Sequence, residues 1–321
     1  MTRTAGRKKG KQMKNKAAII SALALAGVLA IGLSGCAVTG SDASDSSAEE
    51  SSGESADESL GEPSLVVTSV ALCEILDELD YDNVVGIPET STELPSRYDG
   101  LTTVGAPMSP DVEIVRSLSP DYAMSPSTLE DSLASEYQTA GISSIFVDLN
   151  SVDGMYTAIS SLGTLLDREE QAQILVNEYE DYMESYYTGK EDGPSILLLM
   201  AYPDGFYLVV TEDAYVGDLV SLAGGTNVYD DADSDSEGFV SINPEDMVQR
   251  DPDMILVYAH YDEDAAFAYM ESEFESNDAW SYYTAVQEDE IYYLPSDYFS
   301  MSASLDWTES LAYLEDILYG E

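Results

Sequence analysis

The chain has 321 residues, of which 62 are acidic and 12 basic, giving a formal net charge of −50. A surface of that sign excludes nucleic acid, whose phosphates it repels, and it speaks to solubility rather than to fold. There is one histidine, His260, and there are two cysteines in no Cys-x-x-Cys or zinc-finger spacing, so disulfide frameworks and structural zinc are excluded too.

Seven of the basic residues lie in 1–16, ahead of a small, apolar run at 17–35 that ends Leu33-Ser-Gly-Cys36. Charge, then an apolar segment, then small residues before a cysteine describe an export signal with a lipobox. Residues 1–35 are therefore expected to be removed and Cys36 to carry the lipid. A plain membrane anchor is the other reading, because roughly 19 apolar residues just span a bilayer; the Leu-Ser-Gly-Cys ending favours cleavage. Two acyl chains hold a protein where one binds marginally. Cleavage would leave Arg97, Arg116, Arg168, Lys190 and Arg250 as the only cations against 62 acids, so attachment must come from the lipid and not from anionic headgroups.

Residues 36–63 are rich in Ser, Asp and Glu and poor in large apolar side chains, the composition of a tether. From residue 64 strand-like and helix-like runs alternate. Strands are expected at 65–68, 83–87, 102–104, 121–124 and 144–147, with helices at 70–79, after Pro110, and at 129–140. Cys73 falls on the apolar face of the first helix and reads as a small buried hydrophobe. Strand–helix alternation predicts a parallel or mostly parallel sheet with helices on both faces, and 64–150 reads as one α/β lobe. A helical pattern then runs from about 152 to 187, with room for a break. Ala172, Leu175, Val176, Tyr179, Met183 and Tyr186 recur in it at three- and four-residue spacing. Alternation resumes over 191–321, with strands at 195–200, 206–210, 254–258 and 290–294 and helices at 215–223, 262–274 and 305–319. The expected architecture is two Rossmann-like α/β lobes joined by one long helix, with a ligand cleft between them.

Two positions carry the chemistry. His260 stands where the buried run Leu256-Val-Tyr-Ala passes into a helix, and Met108 precedes the helix start in Gly105-Ala-Pro-Met-Ser-Pro-Asp-Val-Glu. Taken singly, a histidine is more often a surface or satisfied core residue and a methionine more often fills a gap. As a pair they form an established set of axial ligands for haem iron. Asp231-x-Asp233-x-Asp235-x-Glu237 imitates half a calcium loop but lacks its sixth-position glycine and its terminal glutamate, which leaves a solvated acidic loop.

These motifs, with Ser117-Leu-Ser-Pro-Asp, Asn277-Asp-Ala-Trp280 and Phe299-Ser-Met-Ser-Ala, resemble the class III solute-binding lipoproteins of metal-chelate ABC importers. Among those, the likeness is to the haem-binding lipoproteins of the iron-regulated surface determinant system, and it extends over 64–320. The resemblance implies haem as a transported ligand held by Met108 from one lobe and His260 from the other. It implies Glu113 and Glu245 as docking residues for permease arginines. It further implies no catalysis, a permease with its ATPase as partners, a haem-donating surface protein, a monomer, and a place on the outer face of the cytoplasmic membrane. The first-turn position of each glutamate also suits the helix dipole. One departure is that neither motif offers a lysine to the haem propionates, so helix N-termini at Thr68-Ser69, Met108-Ser109 or Ser125-Pro-Ser127 would have to receive them, unless those residues merely cap. The alternatives are a cobalamin or ferric-siderophore carrier of the same class and, from another class, a lipid-anchored hydrolase built around His260.

Overall fold

Alternate residues of each central strand enter different cores, as a sheet covered on both faces requires. In the computed structural model, which describes residues 61–186, 193–232, 234–235, 237–240 and 249–320, β1 (Leu65–Val67), β2 (Val84–Ile87), β3 (Thr102–Thr103), β6 (Tyr122–Pro126) and β7 (Ser144–Val147) form a wholly parallel sheet in the order β3-β2-β1-β6-β7. Between them stand α1 (Val70–Glu78), α2 (Val112–Leu118) and α3 (Glu130–Ala140). Val66 and Ala123 face α2 and α3, while Leu65, Val67 and Met124 face α1. Cys73 is fully buried in that second core, and burial pushes its thiol up to about 12, so it is inert filling. Two short strands between β3 and α2, β4 (Gly105–Ala106) and β5 (Ser109–Pro110), make an antiparallel hairpin where the sequence shows only a lead into a helix.

The helical pattern after β7 resolves into α4 (Val152–Leu165) and α5 (Glu169–Tyr186). The break falls at Asp167, whose φ of +56° is left-handed and cannot continue a helix. α5 is the long joining helix. Its 18 residues rise about 27 Å, and α4 folds back along it with Tyr156 stacked on Tyr179 at 4.3 Å.

The second sheet has the order β11-β9-β8-β12-β13, from β8 (Ser195–Tyr202), β9 (Phe206–Val210), β11 (Phe239–Val240), β12 (Met254–Ala259) and β13 (Ile291–Leu294), with β10 (Thr226–Asn227) beside the start of β8. β8, β12 and β13 are parallel, and β9 and β11 run against their neighbours. Helices α6 (Tyr215–Leu222) and α9 (Trp307–Tyr319) cover one face; α7 (Glu263–Ser276) and α8 (Thr284–Gln287) lie with the other.

The core under α6 and α9 is continuous with the core under α1 and α4. Trp307 is its keystone: its indole N–H donates to the Tyr156 hydroxyl at 3.1 Å, and its ring meets Tyr179 and Tyr182 edge-on at 5.9 and 5.0 Å. The Ala303 N–H donates to the Leu149 carbonyl at 2.8 Å, and the Val152 N–H at the start of α4 donates to Asp218 of α6, also at 2.8 Å. One shared core thus ties both sheets together.

Candidate ligand-binding site

In an open parallel sheet, the crevice for a ligand lies at the carboxyl ends of two neighbouring strands whose connections leave in opposite directions. In the first sheet those strands are β1 and β6, and their ends bring together Thr68, Ser69 and Ser125. In the second they are β8 and β12, whose ends are Tyr202 and His260. The fold therefore places the only histidine of the chain at the position where the second sheet is built to hold something.

His260 is held by its backbone, its N–H donating to the Ala201 carbonyl at 2.9 Å as the last rung between β12 and β8. Its imidazole is half-buried and has no hydrogen-bonding side chain among the described residues. Burial depresses its pKa below the usual histidine value and so favours the neutral ring, the form that ligates a metal. Tyr202 meets it edge-on at 5.0 Å and itself stacks on Phe206 at 4.1 Å, across the start of the β8–β9 hairpin. Tyr261 leans on it at 3.9 Å. Tyr261 has a φ of +69°, and the five other non-glycine residues with positive φ among those described are aspartates and a serine. A bulky side chain in that region costs about 1–2 kcal/mol, and this one is 67% exposed.

Met108 stands at the tip of the β4–β5 hairpin, 39% exposed. An unbranched thioether displayed to solvent fills no gap in packing, which removes the bland reading of this methionine. The hairpin follows β3, so it too rises from the carboxyl edge of its sheet. Both expected ligands therefore stand at carboxyl edges, one on each sheet.

The three helix starts proposed for the propionates differ. Met108-Ser109 is not one, because α2 begins at Val112 and the Asp111 carboxylate caps it, accepting the N–H groups of Glu113 and Ile114 at 3.0 and 3.1 Å. Ser125 spends its hydroxyl inside the core, accepting from Thr68 at 2.9 Å with Tyr137 at 3.4 Å. Ser69, at the start of α1, does not cap it: no side chain among the described residues accepts the first N–H groups, although the residue is only 7% exposed. Capping is thus the right account of Asp111 and the wrong one for Ser69. The N-terminus of α1 keeps its donors at the switch point of the first sheet.

Glu113 lies exposed in the first turn of α2, beside Arg116 in a shallow groove against α3 lined also by Ser135 and Glu136. Glu245 and Cys36 lie outside the described residues, as does Lys190. The acidic loop uses its carboxylates internally: Asp231 pairs with Arg250 at 2.7 Å, and Asp235 accepts the N–H groups of Glu237 and Phe239. No group of three or more His, Cys, Asp or Glu among the described residues is arranged to hold a metal ion; Asp233 of the calcium-like pattern lies outside those residues. Arg97 is bound by Asp77, Asp80 and Asp82, and Arg168 by Glu62. No described helix is long and apolar enough to cross a membrane.

The periplasmic binding protein profile matches residues 65–298. The chain belongs to the periplasmic binding protein family. It is 34% identical over 258 residues to the high-affinity heme uptake system protein IsdE of Staphylococcus aureus, a match that takes in 79% of this chain and 87% of that one. A crystal structure of S. aureus IsdE complexed with heme superposes with a TM-score of 0.74 at 33% identity, covering 81% of this chain and all of the other. An ABC transporter substrate-binding protein from Listeria monocytogenes matches at 39% identity with the same TM-score and coverage. As a periplasmic binding protein the chain is a substrate-binding component working with an ABC permease and ATPase, and not an enzyme; the hydrolase reading falls. The aromatic flank of His260, from Tyr202 and Tyr261, was not singled out in the sequence. Its one signal there was the position of Tyr202 at the end of a buried run.

Proposed function

We propose that this periplasmic binding protein captures haem between the carboxyl edges of its two sheets and delivers it to an ABC permease. The iron is taken by the His260 imidazole on one side and the Met108 thioether on the other. The observation that carries this reading is the setting of His260: an imidazole without a hydrogen-bonding partner among the described residues, flanked by aromatic rings, its pKa lowered by burial, and fixed by its backbone at a switch point. The residues fit the cargo. A neutral imidazole and an exposed thioether match haem iron, and the uncapped start of α1 offers backbone N–H donors to propionate carboxylates in place of the absent lysine. The likeness to IsdE supports the same ligand.

The protein is held at the outer face of the membrane by lipid on Cys36, beyond a tether over 36–63, with lobes at 64–150 and 191–321 and the helical segment 151–190 between them. It acts as a monomer and receives haem from a surface donor. Glu113 and Glu245 dock on permease arginines, and the exposure of Glu113 supports its part. An anionic ferric siderophore would need a basic cluster. Three of the four described arginines are already engaged by carboxylates, which disfavours that cargo.

Titration of the purified protein with haem, cobalamin and a ferric siderophore tests the reading. Haem should give a Soret band saturating at one equivalent, with no binding of the other two. Saturable cobalamin binding without a haem band would replace this cargo with that one.

A further inference from the structure

Tyr261 is an unusual residue to find after a metal ligand. The turn from β12 into α7 needs a left-handed residue before the Asp262 cap, whose carboxylate accepts the Ala265 N–H at 3.1 Å. Glycine or asparagine would make that turn without strain, yet a tyrosine occupies it and shows most of its ring to solvent. The local backbone gains nothing from this side chain, and burial does not explain it. What the ring does touch is His260, at 3.9 Å between centroids with 54° between the planes.

An imidazole that ligates haem iron stands upright on the macrocycle. Whatever flanks the imidazole within a few ångströms then lies over the same face of the ring system. Tyr202, the other flank, is fixed by its strand and by its stack on Phe206. Tyr261 sits outside both strand and helix, with its ring mostly exposed beside the imidazole.

We propose that Tyr261 is a ligand-contact residue that packs its ring on the His260 face of the bound macrocycle and slows its release. This rests on the haem reading given above. The phenol hydroxyl has no part in it; the aromatic face does the work.

Three proteins separate the possibilities: wild type, Tyr261→Asn, which tolerates the left-handed backbone, and Tyr261→Phe, which keeps the ring. Each is loaded with haem, and release is followed into excess apomyoglobin, with thermal melting of the ligand-free proteins as the control for folding. An aromatic contact of this kind corresponds to about five- to tenfold in rate. Tyr261→Asn should therefore release haem about that much faster while melting at or above the wild-type temperature, because strain is relieved. Tyr261→Phe should release at the wild-type rate. Release from Tyr261→Asn at the wild-type rate would overturn the proposal, as would equally fast release from Tyr261→Phe. A wild type with no Soret band would instead bring down the haem reading and this contact with it, so the two failures are told apart by the first spectrum.

Discussion

The two ligand mounts of this molecule are built in opposite ways. His260 ends β12, a strand buried along its whole length and paired on both sides, with β8 over six residues and β13 over four. Met108 tips a hairpin of two residues per strand, anchored by the buried Pro110 and by the Glu89 N–H donating to the Gly105 carbonyl, with Ala106, Met108 and Ser109 exposed. A central strand fixes a side chain to the sheet, so the imidazole is presented in one place whether or not a ligand is there. A two-rung hairpin is held by far fewer ladder bonds than a central strand, so the thioether is presented less firmly than the imidazole. One ligand is pre-organised and the other adapts, and the energetic consequences differ accordingly.

The largest effect should come from breaking the rigid mount. His260→Ala leaves β12 and its backbone pairing intact, so the protein should melt like wild type while haem affinity falls by about a hundredfold or more, since even outer-shell changes around metal ligands cost about 10–100-fold. A loss below tenfold would show that the imidazole is not a principal ligand.

Met108→Ala should weaken haem by only about tenfold, because part of what the thioether contributes is offset by the ordering of its hairpin. Equal losses in the two variants would erase the contrast between the mounts.

Acid probes the same imidazole. Its pKa is depressed by burial, so the ligating neutral form persists below the ordinary histidine value of about 6.5. Haem affinity in wild type should stay level from pH 8 to about 6.5 and fall only below it, and this acid limb should be absent in His260→Ala. An identical limb in that variant would assign the titration elsewhere.

The last effect is on stability and not on haem, and it concerns the shared core that sets one mount against the other. Burial pushes Asp218 up to about 6, opposed by the Val152 N–H, with Asp153, Glu212 and Asp148 adding to the rise. A carboxyl raised in the folded state contributes stability that is present below its unfolded pKa and lost as pH rises through about 6. At neutral pH the wild type therefore carries a buried charge. Asp218→Asn keeps an acceptor for the Val152 N–H and removes that charge. It should be more stable than wild type at pH 7.5, by up to about 3 kcal/mol, and the advantage should vanish by about pH 4. Denaturant melts at the two pH values decide this; a gain that does not depend on pH would mean that folding leaves the Asp218 pKa unshifted.

Much of this was legible in the residues. The buried runs at 195–200 and 254–258 gave β8 and β12 because few turn residues interrupt them, and the strand–helix order gave the parallel sheets. His260 and Met108 stood out through rarity and motif. The β4–β5 hairpin was not legible, since Gly105, Ala106, Ser109 and Pro110 carry no alternation of apolar and polar side chains, and Pro110 reads as a helix start. Ser69 looked like a cap because serine before an apolar run usually is one; whether its hydroxyl turns to the helix is decided by tertiary packing, which the local sequence does not carry. The desolvation of Asp218 comes from α6 meeting the start of α4, with no local trace in Tyr215–Leu222. The bend at Tyr261 was hidden by its residue type, because tyrosine rarely marks a left-handed turn.

The central claim, one ligand from each mount on a single iron, is tested most directly by near-infrared magnetic circular dichroism of the ferric complex. Wild type should show the charge-transfer signature of histidine–methionine ligation, and both His260→Ala and Met108→Ala should lose it while still holding some haem. Spectra superimposable across wild type and Met108→Ala would contradict the account, for the hairpin would then present its thioether to something other than iron.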